Sequence, residues 1–297
     1  MIKRHIINKA EVAFWAALVL CSSYMLKVNL VLAVLLFSFW AYLKFTQKNL
    51  TRYTLLKLSL LFMIIFGLGY FFMYQGWPRW YLPVSAVAML SAIIFNSLEI
   101  SLLLSTASAL ALVVIFKNDF HLGALFLVSA ILSSILVKGV RRRSAIIRAG
   151  FLIGAVQAAT LLLIEGFRVY LPQRYSMLFL NGVISSVAAV GLLPIFEYLF
   201  DTVTNISLLE LADLSSPLMQ RMVIEAPGTY HHSLVVGNLS EAAAHSVGAH
   251  ELLARVGSYY HDIGKLFKPD YFSENQNIEQ SKHDNLTPTI SKMVIMN

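Results

Sequence analysis

Apolar residues run almost without interruption over 10–26, 29–45, 54–74, 81–97, 99–116, 121–138, 147–164 and 176–199. Most of these runs are long enough for a helix to cross about 30 Å of hydrocarbon, the first two being the short ones. A soluble core that took in six such runs would be implausibly large, so the pattern predicts a polytopic helix bundle over 1–200, with seven to eight spans. Pro194 is expected to kink the last span near its end. From Asp201 to Ala226 the chain turns amphipathic, with Ser216-Pro217 restarting a helix, and 227–297 is polar enough to stand in water. There, Thr229 can cap a helix that opens after Pro227-Gly228 and runs to about Val247, where Gly248 stops it. A second helix, His250 to about Ile263 with Gly264 as its stop, folds back antiparallel through a very short turn. The fold class is therefore all-α: membrane bundle 1–200, connector 201–226, and a helical module 227–297.

Composition agrees with the membrane reading, since 58% of the residues are hydrophobic and only 13% are charged. Charge then fixes the orientation. Residues 1–200 hold 17 Lys and Arg against 5 acids, whereas 201–297 hold 6 against 11. Twelve of the 17 lie in three clusters: Lys3, Arg4 and Lys9; Lys44, Lys48, Arg52 and Lys57; Lys138, Arg141, Arg142, Arg143 and Arg148. The clusters fall at alternate ends of the spans, which places them and the polar tail in the cytoplasm. An arginine run set between two spans reads as topogenic, and a nucleic-acid polymer is not the expected partner. Trp77, Trp80 and Tyr81 around Pro78 suit an outer interfacial belt facing membrane lipid. Gly150 and Gly154 form a G-x-x-x-G that can serve a helix contact. Cys21 is the only cysteine, so neither an internal disulfide nor a thiolate metal cluster is expected. The first run reads as an uncleaved span, because Leu20 is too large for a lipoprotein cleavage site before that cysteine.

The candidate chemistry sits on the polar hairpin. His232 lies 16 residues before Gly248 and His261 lies 13 after it, so at about 1.5 Å per residue the two reach similar heights. Asp262 follows directly, and two histidines with a carboxylate can share one cation. Ala254, Gly257 and Ser258 keep the face before His261 small, so the partner helix can approach. His232 shares its face with Val235, Val236 and Leu239, which predicts that it points into a buried interface. His231, His245 and His250 read by default as packing or surface residues. The stretch Tyr271 to Gln276 is polar and loop-like and is expected to rim a cleft, with Glu274, Asn275 and Gln276 as loop residues beside it.

The series L-L-E-L-A-D-L-S-S-P-L, E-A-P-G-T-Y-H-H-S-L, L-A-R-V-G-S-Y-Y-H-D-I-G-K and Y-F-S-E-N-Q, between Leu208 and Gln276, resembles the bacterial seven-transmembrane HD phosphohydrolases. The arginine run and the G-L-L-P-I-F-E segment extend the resemblance into the membrane region. The resemblance implies a metal-dependent phosphodiesterase of the inner membrane, with a cytoplasmic HD domain that opens cyclic di-AMP to a linear dinucleotide. By position, His232, His261 and Asp262 match the first metal ligands, with Asp262 bridging two ions in the complete domain and serving catalysis. Lys265 is expected to hold a phosphate oxygen or to cap a helix dipole, and His231 to orient substrate or a ligand. Mixed nitrogen and oxygen donors suit iron or manganese, with zinc left open. A homodimer is admitted as an assembly. Two departures accompany the resemblance. Only Leu26 to Asn29 separates the first two apolar runs, where the family carries a large extracytoplasmic sensor. The family also continues past S-K-M-V-I-M-N to further histidines and a closing aspartate that complete its second metal position. A non-catalytic membrane signalling or scaffold protein, whose incomplete HD module binds a nucleotide or partner, is the alternative function. The connector joins the last span to the His232 helix, so motion of the bundle could be felt at the site.

Overall fold

The computed structural model describes residues 52–117, 119–165, 172–276, 287–288 and 292. The first two apolar runs, Cys21 and the basic residues before Arg52 lie outside the described residues. Two compact units emerge, Met1–Thr202 and Val203–Asn297. Every regular element among the described residues is helical.

In the first unit the order is α1 (Arg52–Gln75), a 3-10 turn (Arg79–Tyr81), α2 (Val84–Phe95), α3 (Leu98–Ile115), α4 (Phe120–Val137), α5 (Arg143–Glu165) and α6 (Pro172–Phe200). Five of these, all but α2, are long and apolar enough to cross a membrane, which makes this a multi-pass membrane protein. The run 81–97 behaves differently from the others. Its helix has 12 residues, about 18 Å at the α-helical rise, and ten of them, Val84 to Ile93, are buried. An apolar run buried in protein and one facing lipid look alike in sequence, which is why the run read as a span. Asn181 makes the short helix tenable: its amide nitrogen donates to the carbonyls of Trp80, at 3.0 Å, and Leu82, at 3.1 Å, just before the helix starts. Ser97 and Asp119 cap α3 and α4 by accepting from the backbone N–H of Ile100 and Leu122.

Several buried hydroxyls inside the bundle pair with one another across helices. Ser101 bridges Ser91 at 2.8 Å and Ser134 at 2.7 Å, tying α2, α3 and α4 together. The Gly150 and Gly154 motif is a true helix contact. A Cβ on either glycine would collide with α6, at Ser186 and Gly182 for the first and at the Phe179 backbone for the second. Helix α6 continues unbroken through Pro194.

The second unit contains α7 (Asn205–Leu211), α8 (Pro217–Glu225), α9 (Pro227–Ser246) and α10 (Glu251–Tyr260), followed by 3-10 turns at Ile263–Phe267, Pro269–Tyr271 and Ser273–Asn275. Ser216 caps α8 with Pro217 in the first turn, as the sequence predicts. The α9–α10 turn is also as expected, with Gly248 at φ +67°. Gly248 N–H bonds to the His245 carbonyl and Ala249 N–H to that of Ala244, so the two bonds form a Schellman closure. Leu252 and Val256 of α10 pack on Leu208 of α7, and Tyr259 packs on Met219 and Met222 of α8.

Three expectations for this hairpin need correction. Helix α10 ends at Tyr260 rather than near Ile263, and Gly264 lies within the following 3-10 turn. Thr229 does not cap α9; it is buried within the first turn, and its backbone N–H is instead received by the Asn275 side chain at 3.0 Å. The close approach uses Gly237, whose Cβ would meet the Tyr259 ring at 2.6 Å, whereas Gly257 faces open space. Spacing alone cannot say which phase of a helix faces its partner; the position of the Tyr259 ring decides it.

Candidate metal centre

His232 stands in the second turn of α9, His261 is the C-cap residue of α10, and Asp262 follows where the chain leaves the helix. The hairpin brings the three together, with donor atoms all within 4.8 Å of one another. Asp262 Oδ2 lies 3.3 Å from His261 Nε2 and 3.9 Å from His232 Nε2, and the imidazole centroids are 5.5 Å apart. Two donors each about 2.1 Å from one ion would be separated by about 3 Å at right angles and about 4 Å when opposed, so both Asp262–imidazole distances fit a shared cation. His261 Nδ1 lies 2.7 Å from the Ser258 carbonyl. It must donate there, which leaves the Nε2 lone pair directed at Asp262, the second-layer support that a metal-ligating histidine requires.

The expectation that His232 points into a buried interface is not met, because its side chain is 49% exposed. The buried stripe of α9 is Thr229, Ser233, Gly237 and Ala244, while Val235 and Leu239 stay exposed on the His232 side. Small residues form the inner face because α10 approaches closely there. His232 thus opens outward, accessible to an ion and to a substrate.

Lys265 lies in the 3-10 turn after Asp262, with its ammonium 2.8 Å from Asp262 Oδ2 and 2.6 Å from Glu274 Oε1. It therefore pairs with two carboxylates and does not cap the end of α10. Burial draws the Lys265 ammonium down, but hydrogen bonds to Asp262 and Glu274 outweigh it and hold its pKa above that of an ordinary lysine. Burial likewise pushes Glu274 up, and the bond from Lys265 more than reverses this, leaving its carboxyl below the usual range.

Glu274 and Asn275, read as loop residues from the sequence, are structural partners of the site. Thr229 Oγ1 donates to Glu274 Oε1 at 3.2 Å, and Asn275 Nδ2 donates to Thr229 Oγ1 at 2.8 Å. A Cβ on Gly228 would collide with the Glu274 backbone, so glycine there lets the Ser273–Asn275 turn sit on the start of α9. The signal available in sequence was the S-E-N-Q motif at the end of the resembling series. His231 is exposed and outside the converging group. His250 caps α10 by accepting the Leu253 N–H at 3.1 Å, and His245 pairs with Glu251.

Comparison with known proteins gives two family matches: "7TM receptor with intracellular HD hydrolase" over residues 22–204 and "HD domain" over 229–292. The cyclic-di-AMP phosphodiesterase PgpH of Listeria monocytogenes serotype 1/2a (strain 10403S) is 40% identical over 189 residues, covering 61% of this chain and 26% of that protein. The cyclic-di-AMP phosphodiesterase PgpH of Bacillus subtilis (strain 168) is 34% identical over 292 residues, covering 93% of this chain and 41% of its own length. The chain thus spans less than half the length of these curated relatives. The crystal structure of the L. monocytogenes PgpH HD domain in complex with cyclic-di-AMP is 51% identical, covering 28% of this chain and 38% of that one, with a TM-score of 0.27.

Proposed function

The chain belongs to the family of 7TM receptors with an intracellular HD hydrolase, and from that premise we propose that it is a membrane-anchored, metal-dependent phosphodiesterase acting on cyclic di-AMP. The observation that carries the proposal is the convergence of His232, His261 and Asp262 on one point, with the Lys265 ammonium beside it. A divalent transition metal held there would neutralise phosphate charge and acidify a coordinated water. Mixed imidazole and carboxylate donors suit iron or manganese, and the second oxygen of Asp262 would serve another ion.

The residues themselves have separate tasks. Asp262 and the two imidazoles bind the ion, and the Ser258 carbonyl keeps His261 in the tautomer that can do so. Lys265 offers an ammonium to a phosphate oxygen. In the reaction, the oxygen of water bonds to phosphorus, the bond from phosphorus to one sugar oxygen breaks, and a proton ends on that oxygen. The product is a linear dinucleotide. Lysines and arginines gather at alternate span ends, which supports a cytoplasmic position for the HD domain in a bacterial inner membrane. The cyclic dinucleotide and membrane lipid are the expected partners, and a homodimer the expected form of any self-association.

The test is hydrolysis of cyclic di-AMP by the purified chain in detergent with added Mn²⁺, alongside metal content. Asp262→Ala should abolish metal uptake and reduce turnover by about 1,000-fold or more, since it removes the ligand that faces both imidazoles. Stoichiometric metal with no hydrolysis, either by the unsubstituted chain or by a version extended along its natural reading frame, would refute the enzyme reading and favour a binding module.

A further inference from the structure

Asp262 Oδ2 is claimed twice. It is the carboxylate atom nearest to both imidazoles, and it also holds the Lys265 ammonium at 2.8 Å. A divalent cation on the His232, His261 and Asp262 donors would face a positive charge bonded to one of its own ligands, so binding requires the ammonium to have somewhere else to go. The alternative is already built. Glu274 Oε1 lies 2.6 Å from the same Nζ, and the Phe272 ring lies 5.0 Å below it. Glu274 is itself fixed, because Thr229 donates to its carboxylate while Asn275, the next residue, is pinned to the backbone N–H and hydroxyl of Thr229. The Ser273–Asn275 turn, anchored on Thr229 45 residues earlier in the sequence, therefore holds a carboxylate in register with the site.

We propose that Glu274 is a positioning residue for the metal centre: it receives the Lys265 ammonium from Asp262 and so frees Oδ2 for the cation. The inference rests on the metal-site reading above and assigns Glu274 a role in that site. Counting Asp262, Lys265 and Glu274 as charged, the group carries one net negative charge and attracts a cation. Replacing Glu274 with glutamine would make it neutral and leave Lys265 with Asp262 as its only anionic partner. The turn also ties cation binding to the start of α9, because the element that holds Glu274 is anchored on Thr229.

The experiment is a Mn²⁺ titration of the full 297-residue chain in detergent, followed by the spin resonance of free Mn²⁺, with Glu274→Gln, Lys265→Gln and the double variant. Glu274→Gln should weaken Mn²⁺ binding about tenfold, and the double variant should return to within about threefold of the unsubstituted chain, since close charged partners couple on that scale. Lys265→Gln alone should bind at least as tightly as the unsubstituted chain. Unchanged binding in Glu274→Gln overturns the proposal. So does a double variant as weak as Glu274→Gln, the result a merely structural role or a lost fold would give. No Mn²⁺ uptake by the unsubstituted chain would overturn the metal site itself, an outcome distinct from both.

Discussion

Two antiparallel hairpins in this molecule close on glycine, α5–α6 in the membrane unit and α9–α10 in the HD domain, and they use it differently. In α5–α6 the contact is backbone on backbone. A Cβ on Gly182 would lie 2.6 Å from both the Gly150 carbonyl oxygen and the Gly154 Cα. The outward faces carry Phe151, Leu163 and Tyr198, all strongly exposed. In α9–α10 one glycine, Gly237, makes room for the Tyr259 ring, and polar pairs flank it: Ser240 with Ser258 at 3.0 Å and Glu241 with Arg255 at 3.1 Å. The difference follows from the solvent. Between helices in lipid, apolar burial gives little drive to associate, so close van der Waals contact between backbones must supply it. In water, burying an aromatic ring supplies it, and the glycine serves the ring.

The largest test of this contrast is Gly182→Val. The added atoms meet main-chain atoms of both Gly150 and Gly154, which cannot rotate away, so the hairpin must separate along its length. We expect a loss of about 3 kcal/mol or more, read as a collapse of the folded fraction in detergent size exclusion, with turnover lost too. A well-folded Gly182→Val protein would refute the backbone-contact account. Gly237→Ala should do less. Its methyl meets Tyr259 Cε1, a side-chain atom, but the ring is confined by Met219, Met222 and the Arg255 Nε bond to its hydroxyl at 2.6 Å. The overpacking cost of about 1–3 kcal/mol is partly offset by about 1 kcal/mol of helix propensity. The net expectation is a drop of about 1 kcal/mol in the opening free energy of α9 and α10 amides by hydrogen exchange, with α5 and α6 unmoved.

The same solvent argument explains what could be read in the sequence. Five of the membrane-length helices, the Gly150 and Gly154 contact, the Ser216-Pro217 start and the Gly248 stop were legible, because each depends on neighbours within a turn or on hydrophobicity alone. His232, His261 and Asp262 were legible as a group because the turn at Gly248 fixes their heights. The length of α2 was not, since hydropathy cannot separate a helix sheltered by protein from one facing lipid. Nor was the outward aspect of His232, which depends on the small inner face of α9 formed by Thr229, Ser233, Gly237 and Ala244. Glu274 and Asn275 were hidden for another reason. Their partner, Thr229, lies 45 and 46 residues away, and no periodicity connects a 3-10 turn to the start of a distant helix.

A hairpin in water can also use ionic support that one in lipid cannot, and the smallest prediction isolates it. His245, in the last turn of α9, lies 2.5 Å from Glu251 at the start of α10, so the pair spans the Gly248 turn. The hydrogen bond to Glu251, and then its charge, raises the His245 pKa above that of an ordinary histidine. A raised folded-state pKa means that the contribution is fully present below the unfolded value, about 6.5, and is lost as pH rises through the folded one. Both groups are in open solvent, where screening keeps such a pair weak, so the overall melting temperature should hardly move. The imidazole itself should report the contact. In a histidine-labelled sample, Glu251→Gln should return the His245 titration to the ordinary range, and molar salt should shift the unsubstituted chain partway in the same direction. Exchange protection at Gly248 and Ala249 should fall with the deprotonation of His245 in the unsubstituted chain but not in Glu251→Gln. If His245 titrates identically in both proteins, the pair does not form in water, and the α9–α10 turn is held by its Schellman closure and the Tyr259 contact alone.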